Sequence, residues 1–403
     1  MSKKAVPRQP ATRDRAVSED DRARARKSRG SRELPSGSGG DCFALDRRRF
    51  LADSGVGALG ILASLGLSRY AVAQPPAATT PAGMPPPPPE PKVSQAAPLH
   101  DLKGKVAYIT AASDGIGLGI ARAASNAGMK VCIGYRNEER LKAALPLFKD
   151  GNAGVFPIQH DVTDRDGWQK VLEQIKSQYG RLHLVVNNAG SKLWTPVSKA
   201  TSEEWDNAVA VNYTATYNSV AVCLPHMLEH GEGSHIVVTS SMSGLLPGGN
   251  LGVYTTTKIA AVGLMEALRV ELEGTTVGTS AFCPGGVNTD NYLGTGEINP
   301  YHPKNPLPTP PHPPGPPPGM DPLEAGERVL NGVVNNDLFI LTHPEYMPGT
   351  RQRFDAVLDS EPLGEHPPAD RVKFETRVLR AGIYAREIEH RKKKRKSYRS
   401  VTA

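Results

Sequence analysis

Cysteine is scarce in this chain, with four residues among 403. Cys42, Cys132, Cys223 and Cys283 show neither a paired pattern nor the spacing of metal ligands, so the sequence predicts no disulfide framework and no metal site. The last three lie in apolar, strand-like or helix-like stretches. That setting favours buried thiols that act as small hydrophobic groups.

Aromatic residues are also few, at 6% of the chain, and no basic face with interleaved aromatic residues is evident. Nucleic-acid binding is therefore not expected. The net charge of +7 lies in residues 1–73, which carry 15 Lys and Arg against 8 Asp and Glu, while the remaining residues balance. A second basic cluster, 391–396, is interpreted as part of a solvated tail.

No apolar run is long enough to span a bilayer comfortably, because the stretch from Val56 to Leu67 is short and rich in glycine. It follows a basic segment that contains Arg47-Arg48 and precedes an Ala-x-Ala sequence ending at Ala73. This order matches a secretory signal, and the arginine core resembles the twin-arginine signal that export machinery reads. We expect 1–73 to direct the protein to the periplasm; a disordered basic tail on a cytoplasmic protein is the alternative.

Proline is abundant but unevenly spread, with 36 residues in the chain. Residues 74–98 are predicted to be an extended polyproline linker. A second Pro-rich stretch, 299–320, lies where a lid would be expected, and its prolines make a helical lid improbable. The substrate side is then exposed, ordered on binding, or covered by a partner. Residues 361–403 are predicted to be a charged tail, with one helix over 366–397.

Dense apolar periodicity is confined to one stretch, so 99–360 is predicted to be a single domain with disordered extensions. Within it, strand-like and helix-like patterns alternate. The strand-like stretches are 106–110, 131–135, 155–159, 182–187 and 236–239, and the helix-like ones are 116–129, 138–148 and 166–179. This alternation predicts an α/β fold, a Rossmann-like doubly wound parallel sheet, with ligands bound beyond the carboxyl ends of the strands.

Three groups of polar and small residues follow the predicted strands. The first is the turn 110–117, where Gly115 and Gly117 would let the backbone approach a diphosphate at a helix N-terminus, although a plain tight turn fits as well. The second is Asn-Asn-Ala-Gly at 187–190. The third is the loop 283–289, Cys-Pro-Gly-Gly-Val-Asn-Thr, which suits a flat, amide-bearing ring.

A Tyr and a Lys at helical spacing complete the pattern. Ser241 follows the strand 236–239, Tyr254 comes thirteen residues later and Lys258 four residues after that. Positions i and i+4 share a helix face, so the phenol and the ammonium would point into one cleft. Alone, such a pair is usually an ordinary surface pair; its meaning depends on the other motifs.

Together these motifs resemble the short-chain dehydrogenase/reductase family, in its compact single-domain branch. The family's turn, Thr-Gly-x-x-x-Gly-x-Gly, is matched except that Ala111 replaces the first glycine, which adds a methyl group. The resemblance implies a catalytic tetrad of Asn212, Ser241, Tyr254 and Lys258. It implies a cofactor site made of Thr110, Ser113, Asp114, Gly115, Ile116, Gly117, Arg136, Asp161, Val162, Asn188, Ala189, Gly190, Tyr254, Lys258, Pro284, Gly285, Val287 and Thr289. It also implies that residues 321–360 supply the last helix and strand of the sheet.

The expected chemistry is hydride transfer between a nicotinamide and an alcohol or carbonyl carbon. Tyr254 would exchange a proton with the substrate oxygen, its pKa lowered by Lys258 and by the oxidised nicotinamide. Ser241 would donate a hydrogen bond to the same oxygen. By resemblance, Lys258 would also hold the nicotinamide ribose, and Asn212 a water of a proton relay.

The cofactor is expected to be NADP rather than NAD. Arg136 follows the second strand and no acidic residue stands at its end, which suits a 2′-phosphate. Asp161-Val162 resembles the family's adenine contact. The rival hypotheses are a nucleotide-sugar epimerase or dehydratase and a non-enzymatic cofactor-binding sensor or scaffold. By resemblance, the chain is expected to form a homodimer or homotetramer.

Overall fold

The computed structural model describes residues 97–148, 154–193, 195–248, 251–289, 319–362, 364–378 and 382–394. The predictions for the signal region and nearly all of the Pro-rich linker, for the insertion at 299–318 and for residues 395–403 lie outside the described residues. Among the described residues, no helix is both long and apolar enough to cross a membrane.

Seven parallel strands form one sheet with the order β3-β2-β1-β4-β5-β6-β7. The strands are β1 (Val106–Ile109), β2 (Lys130–Tyr135), β3 (Val155–Gln159), β4 (Leu184–Asn187), β5 (Ser234–Thr239), β6 (Val277–Cys283) and β7 (Phe339–Leu341). The order reverses between β1 and β4, which is the switch point of a doubly wound sheet. The predicted α/β, Rossmann-like fold is confirmed.

Helices cover both faces of this sheet. The helices are α1 (Gly115–Asn126), α2 (Glu138–Ala144), α3 (Arg165–Tyr179), α4 (Ser202–Val209), α5 (Ala215–His230), α6 (Gly252–Glu271), α7 (Pro322–Val334), α8 (Met347–Leu358), α9 (Ala369–Val378) and α10 (Ile383–Lys394). One apolar core lies under α3, α5 and α6, and the other lies under α1, α2 and α7. The strands are buried on both faces, as expected for a parallel sheet between two helical layers.

Two helices on the second face cross at glycines. A Cβ at Gly119 in α1 would overlap the Pro322 carbonyl group of α7, and a Cβ at Gly326 in α7 would overlap the carbonyl group of Gly119. Only glycine at both positions lets the two backbones approach this closely. The crossing holds the N-terminal half of α1, and with it the turn after β1, against α7.

Three predicted helices were wrong in extent. The helix expected over 116–129 runs from Gly115 to Asn126. The helix expected over 138–148 ends at Ala144, and a 3₁₀ turn, Leu145–Leu147, follows. Pro146 explains this end, because proline lacks the N–H that an α-helix would use there. The single helix expected over 366–397 is two helices, α9 and α10. Gly382 precedes α10 and its carbonyl oxygen accepts a hydrogen bond from the Arg386 N–H, so the second helix begins afresh at a poor helix former.

The second helix of the C-terminal segment packs on the domain. On α10, Glu387 accepts a hydrogen bond from the Leu338 N–H (3.1 Å), and His390 Nε2 lies 3.1 Å from Asp337 Oδ1. Arg391 contacts Asp337, Glu387 and the carbonyl oxygen of Phe339 in the edge strand β7. The expectation that the basic cluster is purely a solvated tail is therefore wrong for Arg391.

The cysteines behave as expected where they are described. Cys132, Cys223 and Cys283 are free and buried. Burial raises the pKa of each thiol to about 12, so all three stay protonated at neutral pH. Cys42 lies outside the described residues.

Candidate active site

The predicted site residues lie at one edge of the sheet, beyond the carboxyl ends of the strands or in the adjoining helices. Thr110, Ser113, Asp114, Gly115, Ile116 and Gly117 follow β1; Arg136 follows β2; Asp161 and Val162 follow β3; Asn188, Ala189 and Gly190 follow β4; Asn212 precedes α5; Ser241 follows β5; Tyr254 and Lys258 are in α6; Pro284, Gly285, Val287 and Thr289 follow β6. Residues from separate parts of the chain thus share one edge, where ligands of doubly wound sheets bind.

The turn after β1 is shaped for close backbone approach. The Asp114 carboxylate caps α1 by accepting from the Gly115 N–H at 2.6 Å, and Gly115 itself has a φ of 53°. A Cβ at Gly117 would lie 2.5 Å from Asn188 Nδ2, so no side chain fits there. Ala111 has a φ of 50°, a left-handed conformation that L-residues adopt only at a cost. Replacing glycine at this position therefore adds backbone strain as well as a methyl group.

Thr110 ties the turn to the neighbouring strands. Its hydroxyl oxygen accepts from the backbone N–H groups of Asn188 (2.8 Å) and Ala189 (2.9 Å). The Asn188 side chain donates to the Thr110 carbonyl oxygen (3.2 Å) and accepts from the Thr239 hydroxyl (3.3 Å). Strands β1, β4 and β5 are thereby held together at their carboxyl ends.

Two arginines stand beyond β2, and only one was predicted. Arg136 Nη1 lies 3.4 Å from Asp161 Oδ2, and Arg140, in the first turn of α2, lies 2.6 Å from Asp114 Oδ2. The pKa of Asp161 is lowered: burial acts to raise it, but hydrogen bonds from Thr163 and the charge of Arg136 outweigh that effect. Arg136 precedes the N-cap Asn137 and lies outside α2, so no helical spacing links the two arginines in the sequence.

Asn212 lies in a short π-helical segment, Ala210–Thr214, between α4 and α5. π-Helical segments are rare overall, but those that occur are often found at functional sites. Its buried side chain accepts from the Ser191 N–H (2.7 Å) and donates to the Ser191 carbonyl oxygen (2.9 Å) and to Thr257 Oγ1 (3.0 Å). Asn212 thus fixes the segment after Gly190 against the helix that carries Tyr254 and Lys258.

Ser241, Tyr254 and Lys258 are brought together as the spacing predicts. The Ser241 hydroxyl lies close enough to the Tyr254 phenol to influence its pKa, and the Ser241 oxygen accepts from the Ser243 N–H at 3.1 Å. Lys258 Nζ lies 5.4 Å from the centre of the Tyr254 ring and donates to the Thr239 carbonyl oxygen at 2.7 Å. The Gly190 Cα lies close by, because a Cβ there would be 3.4 Å from Lys258 Nζ. A phenol, a hydroxyl and an ammonium therefore converge beside the end of β4.

The pKa of Tyr254 differs from the expectation. Burial raises it above its usual value of 10.0, the nearby Ser241 hydroxyl acts to lower it, and the charge of Lys258 is not among its causes. Burial lowers the pKa of Lys258 to about 8. The expected lowering of the phenol pKa by Lys258 is thus not a property of the chain alone, because burial dominates both groups.

The loop after β6 closes the edge beside Ser241. The Met242 N–H donates to the Pro284 carbonyl oxygen (2.9 Å), and the Asn288 N–H donates to the Met320 carbonyl oxygen (2.9 Å). A Cβ at Gly115 would lie 3.0 Å from Thr289 Cγ2, so the loop also reaches the turn after β1. His343 contacts this loop as well, and no sequence motif had indicated it.

Comparison with known proteins agrees with this geometry. The sequence profile of the short chain dehydrogenase family matches residues 105–296. The oxidoreductase Lin0452 of Listeria innocua is 34% identical over 193 residues, which are 47% of this chain and 77% of that protein. The C alpha-dehydrogenase of Sphingobium sp. is 26% identical over 285 residues, 69% of this chain and 93% of that protein.

A solved structure shows the same fold. The short chain dehydrogenase/reductase from Burkholderia phymatum, crystallised in complex with NAD, superposes with a TM-score of 0.58 at 24% identity, over 66% of this chain and 99% of that one. The protein therefore belongs to the short chain dehydrogenase family, whose members are oxidoreductases that bind NAD or NADP.

Proposed function

We propose that the protein is an NAD(P)-dependent oxidoreductase that interconverts an alcohol and a carbonyl compound. The observation that carries the proposal is the convergence of Tyr254, Ser241 and Lys258 beside a glycine turn at the switch point of the sheet. The name C alpha-dehydrogenase, borne by one relative, fits a reaction of this class. The cofactor would supply the hydride acceptor or donor.

The residues present fit a dinucleotide. The missing side chain at Gly117 lets the turn pack against Ala111 and Asn188, and the turn ends at the N-terminus of α1, where the helix dipole and the N–H groups of the first turn favour a diphosphate. Residues 188–190 lie between this turn and Lys258, because Asn188 contacts Thr110 and Gly190 lies beside Lys258 Nζ. The loop 284–289 closes the opposite side.

In the proposed mechanism, Tyr254 exchanges the proton of the substrate oxygen. Ser241, which lies beside the phenol, would donate to the same oxygen as negative charge develops there. Lys258 would hold the nicotinamide ribose, and its charge together with that of an oxidised nicotinamide would oppose the effect of burial on the phenol pKa. Asn212 holds the Ser191 backbone and, by family resemblance, a relay water.

NADP is the proposed preference. Arg136 and Arg140 both reach the edge beyond β2, where the adenosine ribose of a dinucleotide lies. Each arginine faces an aspartate, so a bound 2′-phosphate would share these cations with Asp161 and Asp114. NAD is the alternative cofactor. The two are distinguished by how much each depends on the charge of Arg140 for binding.

A fluorescence titration tests the function and the cofactor together. The full chain is titrated with NADPH and NADH, and oxidation of the tighter ligand is followed with a panel of carbonyl compounds. We expect NADPH to bind more tightly, and Arg140→Gln to weaken NADPH by about tenfold while changing NADH less than twofold. Exposed Arg351→Gln is the matched control. Binding of neither cofactor would contradict the function, and binding without oxidation by any carbonyl compound would favour the cofactor-binding sensor or scaffold.

Two further features are proposed with it. Homodimers or homotetramers would pair through α5 and α6, where Tyr217, Leu228 and Val270 are large exposed apolar side chains. Light scattering of the purified chain would show a single protomer mass if this is wrong.

Export through residues 1–73 would be tested by comparing the periplasmic fraction of the chain with that of an Arg47→Lys, Arg48→Lys variant.

A further inference from the structure

We infer that His343 is a positioning residue that fixes the nicotinamide end of the site, an inference that rests on the proposed function. His343 comes two residues after β7, and β7 pairs with β6 through Cys283 and Leu341. The register therefore places the residue after β7 beside the loop that follows β6. Fifty-eight residues separate His343 from Gly285 along the chain.

The two ring nitrogens of His343 bind two successive residues of that loop. The Gly285 N–H donates to Nδ1 at 3.0 Å, and Nε2 lies 3.0 Å from the Gly286 carbonyl oxygen. A backbone N–H can only donate and a carbonyl oxygen can only accept, so Nδ1 is the acceptor and Nε2 carries the hydrogen. The loop thereby selects one neutral tautomer of the ring.

The imidazole also fills the space above Gly285. A Cβ at that position would lie 2.5 Å from His343 Cγ and 2.8 Å from both Cδ2 and Nδ1. The hydroxyl of Thr342, a buried residue, also lies 2.7 Å from Nδ1. Gly285 is therefore explained by the close approach of His343, a reason separate from contact with a cofactor.

The loop that His343 holds is next to the catalytic serine. The Pro284 carbonyl oxygen accepts from the N–H of Met242, the residue after Ser241, and the Gly286 carbonyl oxygen also accepts from the Met320 N–H (2.9 Å). The loop is also fixed by the Asn288 side chain, which donates to the Gly319 carbonyl oxygen (2.7 Å). His343 supplies two further contacts from its side chain, so a substitution can loosen the loop at Gly285 and Gly286 without altering the adenosine side of the site.

The test compares a whole cofactor with its adenosine half. Binding of NADPH and of 2′,5′-ADP to the full chain is measured for wild type, His343→Phe, His343→Asn and the exposed control His366→Phe. His343→Phe removes both hydrogen bonds, so we expect NADPH affinity to fall about tenfold and 2′,5′-ADP affinity to change less than twofold. His343→Asn retains an acceptor for the Gly285 N–H and should recover part of the loss, and His366→Phe should change neither affinity.

Each alternative outcome has a distinct meaning. Equal loss of both affinities in His343→Phe and His343→Asn would show a general structural role and overturn the inference. Unchanged NADPH affinity in His343→Phe would overturn it too. A wild-type protein that binds neither these two ligands nor NADH would instead contradict the proposed function, and the inference with it.

Discussion

The two ends of the parallel sheet are built from different chemistry. At the carboxyl end, small residues and neutral polar groups such as Thr110 and Asn188 hold an open edge where Tyr254 and Lys258 converge. At the amino end, a network of charged and imidazole side chains is packed together. We define this amino-end network as Lys105, Arg181, His183, His226, His230 and Glu232.

The amino-end network acts on stability. His183 Nδ1 accepts from the Val106 N–H at the start of β1 (3.2 Å), and Nε2 lies 2.8 Å from Glu232 Oε2. Glu232 is shared with Lys105 and Arg181, so its attraction for a protonated His183 is divided. Burial and the neighbouring cations lower the pKa of His183 to about 4. The sheet therefore has the candidate active site at its carboxyl end and a network that resists protonation at its amino end.

The largest effect on stability is expected at the amino-end network when the pH is lowered. Above pH 6.5, His183 is neutral in the folded and unfolded chains; between pH 6.5 and about 4, only the unfolded chain gains its proton. Stability is therefore lost as pH falls through this window. We expect His183 to account for about 3 kcal/mol of the loss between pH 7 and pH 4, measured by urea unfolding.

His183→Asn isolates that contribution from those of other titrating groups. The variant should be less stable at pH 7 and should lose about 3 kcal/mol less on acidification than wild type. Exposed His366→Asn should follow the wild-type curve. Parallel pH profiles for wild type and His183→Asn would mean that the amino-end network does not govern acid sensitivity.

A smaller effect is expected at the carboxyl end, where Ala111 adopts a φ of 50°. Ala111→Gly relieves the left-handed strain and should raise the free energy of unfolding by about 1 kcal/mol. Ala143→Gly, at an exposed position inside α2, is the matched control and should lower it by a similar amount. Destabilisation by both variants would show that Ala111 stores no strain that glycine can release.

Much of the fold and site followed from local sequence. Alternating strand and helix patterns predicted the doubly wound sheet, and motifs at strand ends could only meet at its carboxyl edge. The i, i+4 spacing of Tyr254 and Lys258 places both side chains on one face of α6. The loop after β5 places Ser241 beside them. These features depend on neighbours in the chain or on the topology that the alternation dictates.

Other features depend on contacts between distant segments. His343 reaches Gly285 only because β7 pairs with β6, and a lone histidine after a strand has no pattern that indicates a loop contact. The packing of α10 against Asp337 likewise comes from tertiary ion pairs within a stretch that looks like a charged tail. The pKa of Tyr254 could not be read from its neighbours, because burial raises it and outweighs the lowering by Ser241.

The central claim is that Tyr254 is the proton-exchanging group of an NAD(P)-dependent oxidoreductase. The most direct measurement is NADPH consumption with an accepted carbonyl compound by wild type and Tyr254→Phe, with NADPH binding measured on the same samples. The account predicts that turnover falls by about 10³-fold or more, since proton transfer is lost, while NADPH affinity stays within about threefold. Turnover that is unchanged in Tyr254→Phe, with cofactor bound equally well, would contradict it.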